Sequence, residues 1–587
     1  MIGPTAPAPR HLTVNAALAA AATGDAAITF VDLAERETAI PFAEIHARAR
    51  RAAAVLAAHG VERGDRVAIV LPTSPAFLDA FFGSLLAGAV PVPLYPPLRL
   101  GRLAEYHAAT AAMIAAVAAR LVVADGRTRA LLGPAVELAR PPLGCLRADR
   151  LAAGGAAAPG VEPRPDELAL IQFSSGSTAD PKPVALSHAN VMAQLAALAA
   201  LLPPEGGTPQ MGVSWLPLYH DMGLIGCLLL AVHVPGPLVL IPPENFLARP
   251  ALWLRTIARH RATVSVAPSF GYEVAARRVR DEELAGCALS SWRLAVCGAE
   301  PVSLAGLERF AQRFARRGFD RRALCPVYGL AEASLAVTFT PPGRGPAALG
   351  VDPVRLAVAG EAAPGTRPIV SVGVPVPGAE VQVRGADGRE RPERTVGRIV
   401  VRGPSVMTGY FGRPDATAAV LAGGVLDTGD LGFIAGGELY VCGRAKDVVV
   451  VRGANHAPQE FEECLRGIAG VRTGCAVALG FVPDGESGEQ LLVLAERSRD
   501  GGADDGTADR IRRAVVARTG ILPHTVRLLA PGTLPRTSSG KLRRTEALRR
   551  FLAGELTPPG PSGRARLAVA AARSAFAFAR ARWSRGR

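Results

Sequence analysis

Residues 168–183 read LALIQFSSGSTADPKP. The first six are apolar except for Gln172, the pattern of a strand covered on both faces. After Phe173 comes a run of hydroxyls around Gly176, closed by Asp180, Pro181 and Lys182. A strand ending in such a loop offers backbone N–H groups and small side chains to phosphate oxygens, and the lysine adds positive charge. The spacing is not that of G-x-x-x-x-G-K-[ST], and a Ser/Gly/Thr loop on its own is more often a solvated turn.

On both sides of this stretch, from residue 28 to about 338, helical patterns such as FAEIHARARRAAAVLAAHG alternate with apolar runs such as RVAIVLP, AVPVPLY, TVSVAP and RLAVCG. That alternation predicts α/β layers with largely parallel, buried strands. From Ser371 the text changes to SVGVPVPGAEVQVRGADGRERPERTVGRIVVRG, short strands broken by Gly, Asp and Pro turns. A β-rich subdomain is therefore expected over about 371–442, closing a large N-terminal domain of residues 1–442. Residues 443–552, with helical stretches around strands such as CAVALGFV and QLLVLAER, predict a small α+β domain. Residues 553–587 read as a basic linker and tail.

A chain of 587 residues with about half its residues apolar divides into more than one folded unit. Its eight cysteines form no C-x-x-C pair and no cluster with histidine, so they read as reduced core thiols of a cytoplasmic protein. The N-terminus lacks the basic segment and unbroken apolar run of a cleaved secretion signal. The longest apolar stretch, residues 222–242, is interrupted by His233, Pro235, Gly236 and Pro237, which predicts a buried helix and a strand rather than a membrane span. The net charge of +15 comes mostly from arginines scattered through alanine-rich text with no nucleic-acid module, so no nucleic-acid partner is expected. Charge is asymmetric only at the end, where residues 563–587 hold seven arginines and no acid. There Leu567, Val569, Phe576, Phe578 and Trp583 suggest the buried face of an interfacial helix, peripheral at the inner face of a membrane; a solvated tail or a site for an acidic carrier protein is the competing reading.

Six further stretches accompany the loop: SWLPLYHDMGL (214–224), CGAEPV (297–302), YGLAEA (328–333), DTGDLG (427–432), GRAKD (443–447) and LPRTSSGKLRR (534–544). In this order the chain resembles the adenylate-forming superfamily over nearly its whole length, and the fatty acyl-AMP ligases most closely. The resemblance implies activation of a fatty acid by ATP and Mg²⁺ to an acyl-adenylate, with pyrophosphate released. Ser174, Ser175, Gly176, Ser177, Thr178 and Lys182 would cradle the β- and γ-phosphates, and Glu332 would hold Mg²⁺. Tyr328 and Gly329 would flank adenine from one side, and Gly298, Ala299 and Glu300 from the other. Asp430 and Arg444 would bind the ribose. Lys541 would be the catalytic lysine facing the carboxylate and the α-phosphate, and His220 a catalytic-site residue near the acyl group. Lys446 takes the hinge position about which the small, mobile domain turns. Met222, Ile225 and Phe270 are candidates for the acyl tunnel, with core packing an equally ready reading.

Members of the superfamily pass the acyl group either to coenzyme A or to the phosphopantetheine arm of a carrier protein. Between Glu332 and Gly373 lie about forty residues, roughly twice the acyl-CoA synthetase spacing, and residues 349–367 resemble the fatty acyl-AMP ligase insertion, which is associated there with loss of CoA-ligase activity. The expected acceptor is thus an acyl carrier protein, or a carrier domain of a polyketide or peptide synthase, acting in trans. A fatty acyl-CoA synthetase is the alternative. Pro183 departs from the glycine usual after the loop lysine; it removes an N–H and fixes φ, and is the one feature favouring a nucleotide- or lipid-binding protein without turnover.

Overall fold

Strands that read as unbroken apolar runs need cover on both faces, and the fold supplies it with helices. The computed structural model describes residues 1–97, 100–153, 157–158, 160–174, 181–204, 209–451, 453–483, 488–498, 506–537, 540–560 and 563–583. Its largest sheet has nine strands. Six of them run parallel in the order Leu324–Gly329, Leu294–Cys297, Val264–Ala267, Gly212–Ser214, Leu238–Leu240 and Ala27–Val31. Antiparallel strands finish both edges. A second sheet, Val90–Leu94, Arg66–Val70, Leu121–Ala124 and Gly144–Arg147, is parallel throughout. The strand Leu168–Phe173 turns back antiparallel into Pro183–Ser187, which also pairs with Gly409–Tyr410. The expected α/β class holds, and the crevices beyond the carboxyl ends of parallel strands are where such sheets take ligands.

One side of the large sheet rests on an aromatic cluster of Trp253, Tyr272, Trp292, Phe310, Phe314 and Phe319, with ring centres 4.8–6.3 Å apart. Burial of such rings dominates core energetics provided their polar ends are satisfied. They are: Trp253 donates to Ser265 Oγ (2.8 Å), Tyr272 to the Val296 carbonyl (2.9 Å) and Trp292 to the Leu294 carbonyl (2.9 Å). This cluster fixes the helix Ser269–Arg278, whose first turn borders the crevice at the carboxyl ends of the strands.

The β-rich unit contains Glu380–Arg384, Gly397–Arg402, Val425–Ala435 and Glu438–Arg444, all antiparallel. Residues 349–367 add a strand, Ala348–Val351, paired with Arg367–Val370 and joined to it through the helix Pro353–Ala359. Val351, Ile369 and Leu356 pack on Phe433 and Tyr440 of that unit, so the insertion is a folded extension of it. The following α+β unit has the sheet Val471–Phe481, Gln490–Arg497 and Thr525–Leu529, with helices Pro458–Cys464, Thr507–Thr519 and Arg544–Leu552.

Residues 222–242 form a short helix, a π-helical segment Leu224–Leu229, the turn Leu230–His233 and the strand Leu238–Leu240, all within the core. Among the described residues no helix is long and apolar enough to cross a membrane. The basic tail holds a helix, Arg564–Trp583, docked on the helix Gly126–Ala139. Its apolar residues do not share one face: Phe578 is buried against Arg129, while Val569 and Phe576 point outward. At about 100° per residue, positions 576 and 578 lie on nearly opposite sides of a helix, which is why Phe578 leaves the expected interfacial face. The Trp583 side chain lies outside the described residues.

Candidate active site

Loops leaving the carboxyl ends of Gly212–Ser214, Val264–Ala267, Leu294–Cys297 and Leu324–Gly329 converge on a cavity of about 1890 Å³, roofed by the C-terminal α+β unit. Ser174, Lys182, His220, Met222, Phe270, Ala299, Glu300, Tyr328, Gly329, Glu332, Asp430, Arg444, Lys446 and Lys541 all line it. Residues drawn from across the chain therefore meet at one place.

On the phosphate-loop side, Ser174 N–H donates to the Lys182 carbonyl (2.9 Å) and Lys182 N–H to Ser174 Oγ (3.3 Å), closing the loop at its base. Ser175, Gly176, Ser177 and Thr178 lie outside the described residues. Lys182 Nζ stands 4.7 Å from the centre of the Tyr410 ring, and the Tyr410 hydroxyl donates to Glu332 Oε1 (2.9 Å). Burial raises the Glu332 carboxyl above its usual pKa. Pro183 stands outside the loop as the first residue of its strand, opposite Phe173, with its carbonyl accepting from Phe411 N–H (2.8 Å). A proline is tolerated at a strand's first residue, and the amide that closes the loop belongs to Lys182.

Next to it, Tyr328 donates its hydroxyl to Asp430 Oδ2 (2.7 Å) and Arg444 Nε donates to Oδ1 (3.1 Å). Asp430 is carried by the bend of DTGDLG: Gly429 has φ +74°, and Asp430 N–H is held by Thr428 Oγ1 (3.1 Å). A side chain at 429 would be strained in that left-handed backbone. Burial raises the Asp430 carboxyl, with Arg444 and Tyr328 opposing. Ala299 also sits at φ +69°, a strained conformation for a residue with a Cβ.

At the meeting point of the two sides stands Lys541. Desolvation lowers its pKa, partly offset by the carboxylates of Asp221 and Glu300. Asp221 accepts from Met222 N–H (2.7 Å) and contacts His220 Nδ1 (2.6 Å). Burial pushes its carboxyl up, but His220 and Lys541 win and hold it below the ordinary value. Glu300 turns toward the helix Ser269–Arg278, accepting from Phe270 N–H (2.7 Å), and burial raises its carboxyl.

Two candidates fall elsewhere. Gly298 is not on the cavity wall; a Cβ there would lie 2.7 Å from Val327 Cγ2, so it allows close strand packing. Ile225 is fully buried in the core and off the cavity, whereas its neighbour Gly226 and Leu230 line it. In a π-helical segment the side chains fall out of the α-helical register that motif reading assumes. Tyr410, Asp221 and Gly226 also line the cavity, though the motifs did not single them out. Asp221 and Gly226 stand in or beside HDMGL, but Tyr410, in GYFGRP, carries no local signal.

The AMP-binding enzyme family matches residues 17–411 of this chain. The protein belongs to the AMP-binding enzyme family. As a member it is an adenylate-forming enzyme of the acid–thiol ligase class, with an ATP-binding fold. It is 34% identical over 549 residues to the long-chain-fatty-acid–AMP ligase FadD26 of Mycobacterium marinum, covering 87% of this chain and 91% of that one. It is 36% identical over 522 residues to the 4-hydroxyphenylalkanoate adenylyltransferase of Mycobacterium tuberculosis, covering 84% and 83%. A structure from a study of fatty acyl-adenylate ligases of E. coli and L. pneumophila superposes with a TM-score of 0.85 at 35% identity, over 94% of this chain and 99% of that one.

Proposed function

We propose that this enzyme activates a fatty acid as acyl-AMP and hands the acyl group to a carrier protein. The observation that carries the substrate reading is the cavity's apolar arm. Leu198, Leu230, Val266, Leu335 and Phe339 line it, and a void of about 80 Å³ shares Leu202, Gly226, Leu230, Val264 and Val266 with it, extending the path available to an alkyl chain. Apolar walls with a few polar groups at one end suit such a substrate. A carboxylate oxygen attacks the α-phosphorus and pyrophosphate departs; Lys541 would stabilise the charge that develops there. Asp430 and Arg444 would hold the ribose, Tyr328 and Gly329 the adenine, and the loop at Ser174–Lys182 the outer phosphates.

Glu332 would hold Mg²⁺. Among the described residues no three His, Cys, Asp or Glu side chains converge, so phosphate oxygens and water would complete the shell, as this ion prefers with nucleotides. When bound, the ion offsets phosphate charge. A carboxyl that burial disfavours as an anion is suited to gain from that cation.

For the acceptor, the insertion favours a carrier over coenzyme A. It is buttressed on the β-rich unit, and Arg367 at its end pairs with Glu460 of the C-terminal unit (3.0 Å), a tie opposing rotation at the Lys446 hinge. The test is a product assay with ATP, Mg²⁺ and a series of fatty acids and 4-hydroxyphenylalkanoates, with coenzyme A or a holo carrier protein. Acyl-AMP that charges only the carrier is the expected result. Acyl-CoA at many turnovers would overturn the acceptor, and preference for the aryl acids would overturn the substrate.

A further inference from the structure

The helix Arg564–Trp583 is pegged to the N-terminal body in a specific way. Ser574 is fully buried; its hydroxyl accepts from Gly133 N–H (2.7 Å) and donates to the Arg129 carbonyl (2.9 Å). It thereby stands between the donor and acceptor of one backbone bond of the helix Gly126–Ala139, beside Pro134. A Cβ at Gly133 would lie 2.3 Å from the Ser574 carbonyl oxygen, so glycine permits the approach. Ala577, Phe578 and Ala581 are buried on the same side, the Arg129 guanidinium lies 4.1 Å from the Phe578 ring centre, and Arg580 pairs with Glu137 (2.8 Å).

The side facing away is also apolar. Val569, Ala572, Phe576 and Ala579 recur at three- and four-residue steps and are exposed, Phe576 to 63% and Val569 to 52%. Arg566, Arg573 and Arg580 recur every seven residues along one edge, and no acid occurs from residue 563 to 587. A helix apolar on two faces, with only one covered among the described residues, has an outer face still to be satisfied. On that face one large ring, Phe576, stands among small neighbours. Its charge is of one sign.

We propose that the outer face of this helix lies on an anionic lipid surface, with Val569 and Phe576 entering the headgroup boundary and Arg573 meeting lipid phosphates. Because the helix is pegged at Ser574, such contact would orient the whole N-terminal body. An enzyme acting on alkyl acids, which partition into membranes, would then work where they concentrate.

Sedimentation of the whole chain with phosphatidylcholine vesicles, with and without phosphatidylglycerol, tests this. Partition is expected only with the anionic lipid and should fall as salt rises. Val569→Glu/Phe576→Glu should weaken it roughly tenfold or more, with circular dichroism and pyrophosphate exchange in solution unchanged. Arg573→Glu should weaken it less. The proposal is overturned if the wild type stays in the supernatant, if the double variant partitions like the wild type, or if neutral vesicles serve equally. It is also overturned in favour of a protein partner if vesicles bind nothing while Phe576→Glu raises the KM for a carrier protein.

Discussion

Tyr328, Asp430 and Arg444 hold one another by hydrogen bonds of 2.7 and 3.1 Å, whereas Leu198, Leu230 and Leu335, on the other arm of the same cavity, hold one another only by fit. The polar arm stores unfavourable electrostatics: burial raises the carboxyls of Asp430, Glu332 and Glu300 and lowers Lys541. The apolar arm stores none and, under the proposed function, would discriminate by volume. Loss of one polar partner strands another in low dielectric, while loss of apolar fit changes which chain is accepted. The two arms should therefore fail differently.

The largest expected effect is at their junction. Lys541→Ala should lower the adenylation kcat by about 10²–10³, the usual cost of removing a donor that serves developing charge, with the KM for the acid nearly unchanged. ATP–pyrophosphate exchange measures this. A loss of only a few-fold would place Lys541 outside the transition state. The pH profile carries a sign: desolvation lowers the Lys541 pKa, so activity that needs the ammonium falls, as pH rises, earlier than an ordinary lysine would dictate. Lys541→Arg should move that alkaline limb upward, whatever its effect on the plateau rate.

In the apolar arm, Gly226 has no Cβ, and one placed there would lie 2.7 Å from Leu335 Cδ2. Gly226→Leu should cut kcat/KM for long acids by roughly ten- to a hundredfold, while short acids lose only a few-fold, since each excluded methylene forfeits about 1 kcal/mol. Competition between a long and a short acid reads this directly. Equal loss for both would mean that position 226 acts on the junction rather than on the chain's path.

The same division governs how much of the molecule is legible in its sequence. Under the proposed function, residues that would touch phosphate, ribose or Mg²⁺ are chemically constrained and stand in compact motifs, so Lys182, Glu332, Asp430, Arg444 and Lys541 can each be read by position, and the structure brings all five to one cavity. The alternation of strand and helix patterns foretells the parallel sheets for a similar reason: a strand covered on both faces has a recognisable text. The wall of the proposed alkyl path is not legible. Any apolar residue can serve there, and the π-helical segment Leu224–Leu229 displaces the register, so Ile225 goes to the core and Gly226 to the cavity. Tyr410 escapes sequence reading because its role depends on a strand pairing, Tyr410 with Val184, that joins residues more than two hundred positions apart. The final helix shows its composition but not its orientation. Which face of it docks is set by Gly133 and Ser574, far apart in the chain.

The join between the C-terminal unit and the body should matter less than either arm. Arg466 donates to Glu273 Oε1 (2.7 Å) and to Ser303 Oγ (2.6 Å), the hydroxyl that caps the helix Leu304–Phe314. The pair is partly exposed, so its loss is modest. Arg466→Ala should slow adenylation by about three- to tenfold, because the unit that carries Lys541 is docked less often. Transfer from preformed acyl-AMP to a carrier should be spared. Equal slowing of both half-reactions would show that Arg466 acts on folding, not on docking.

The smallest effect separates stability from function at Glu332. Its carboxyl is raised in the folded chain by burial, so the folded state holds the proton more tightly than the unfolded one. That contribution favours folding in full below the ordinary glutamate value and is lost as pH rises through the folded value, above which the buried anion is a net cost. Glu332→Gln keeps an acceptor for the Tyr410 hydroxyl but never ionises. Without nucleotide, its Tm should exceed the wild type's by about one to three degrees near neutral pH, and the gap should close as pH falls to the ordinary glutamate range. Adding Mg²⁺ and ATP should reverse the order, because the wild-type carboxylate then gains a cation that the amide cannot hold as well. Scanning calorimetry across pH, with and without the nucleotide, reads both signs. A variant less stable than the wild type at every pH would mean that the Glu332 anion is already compensated within the polar arm, and the contrast between an electrostatically strained arm and a neutral one would have to be redrawn around Asp430 and Glu300 alone.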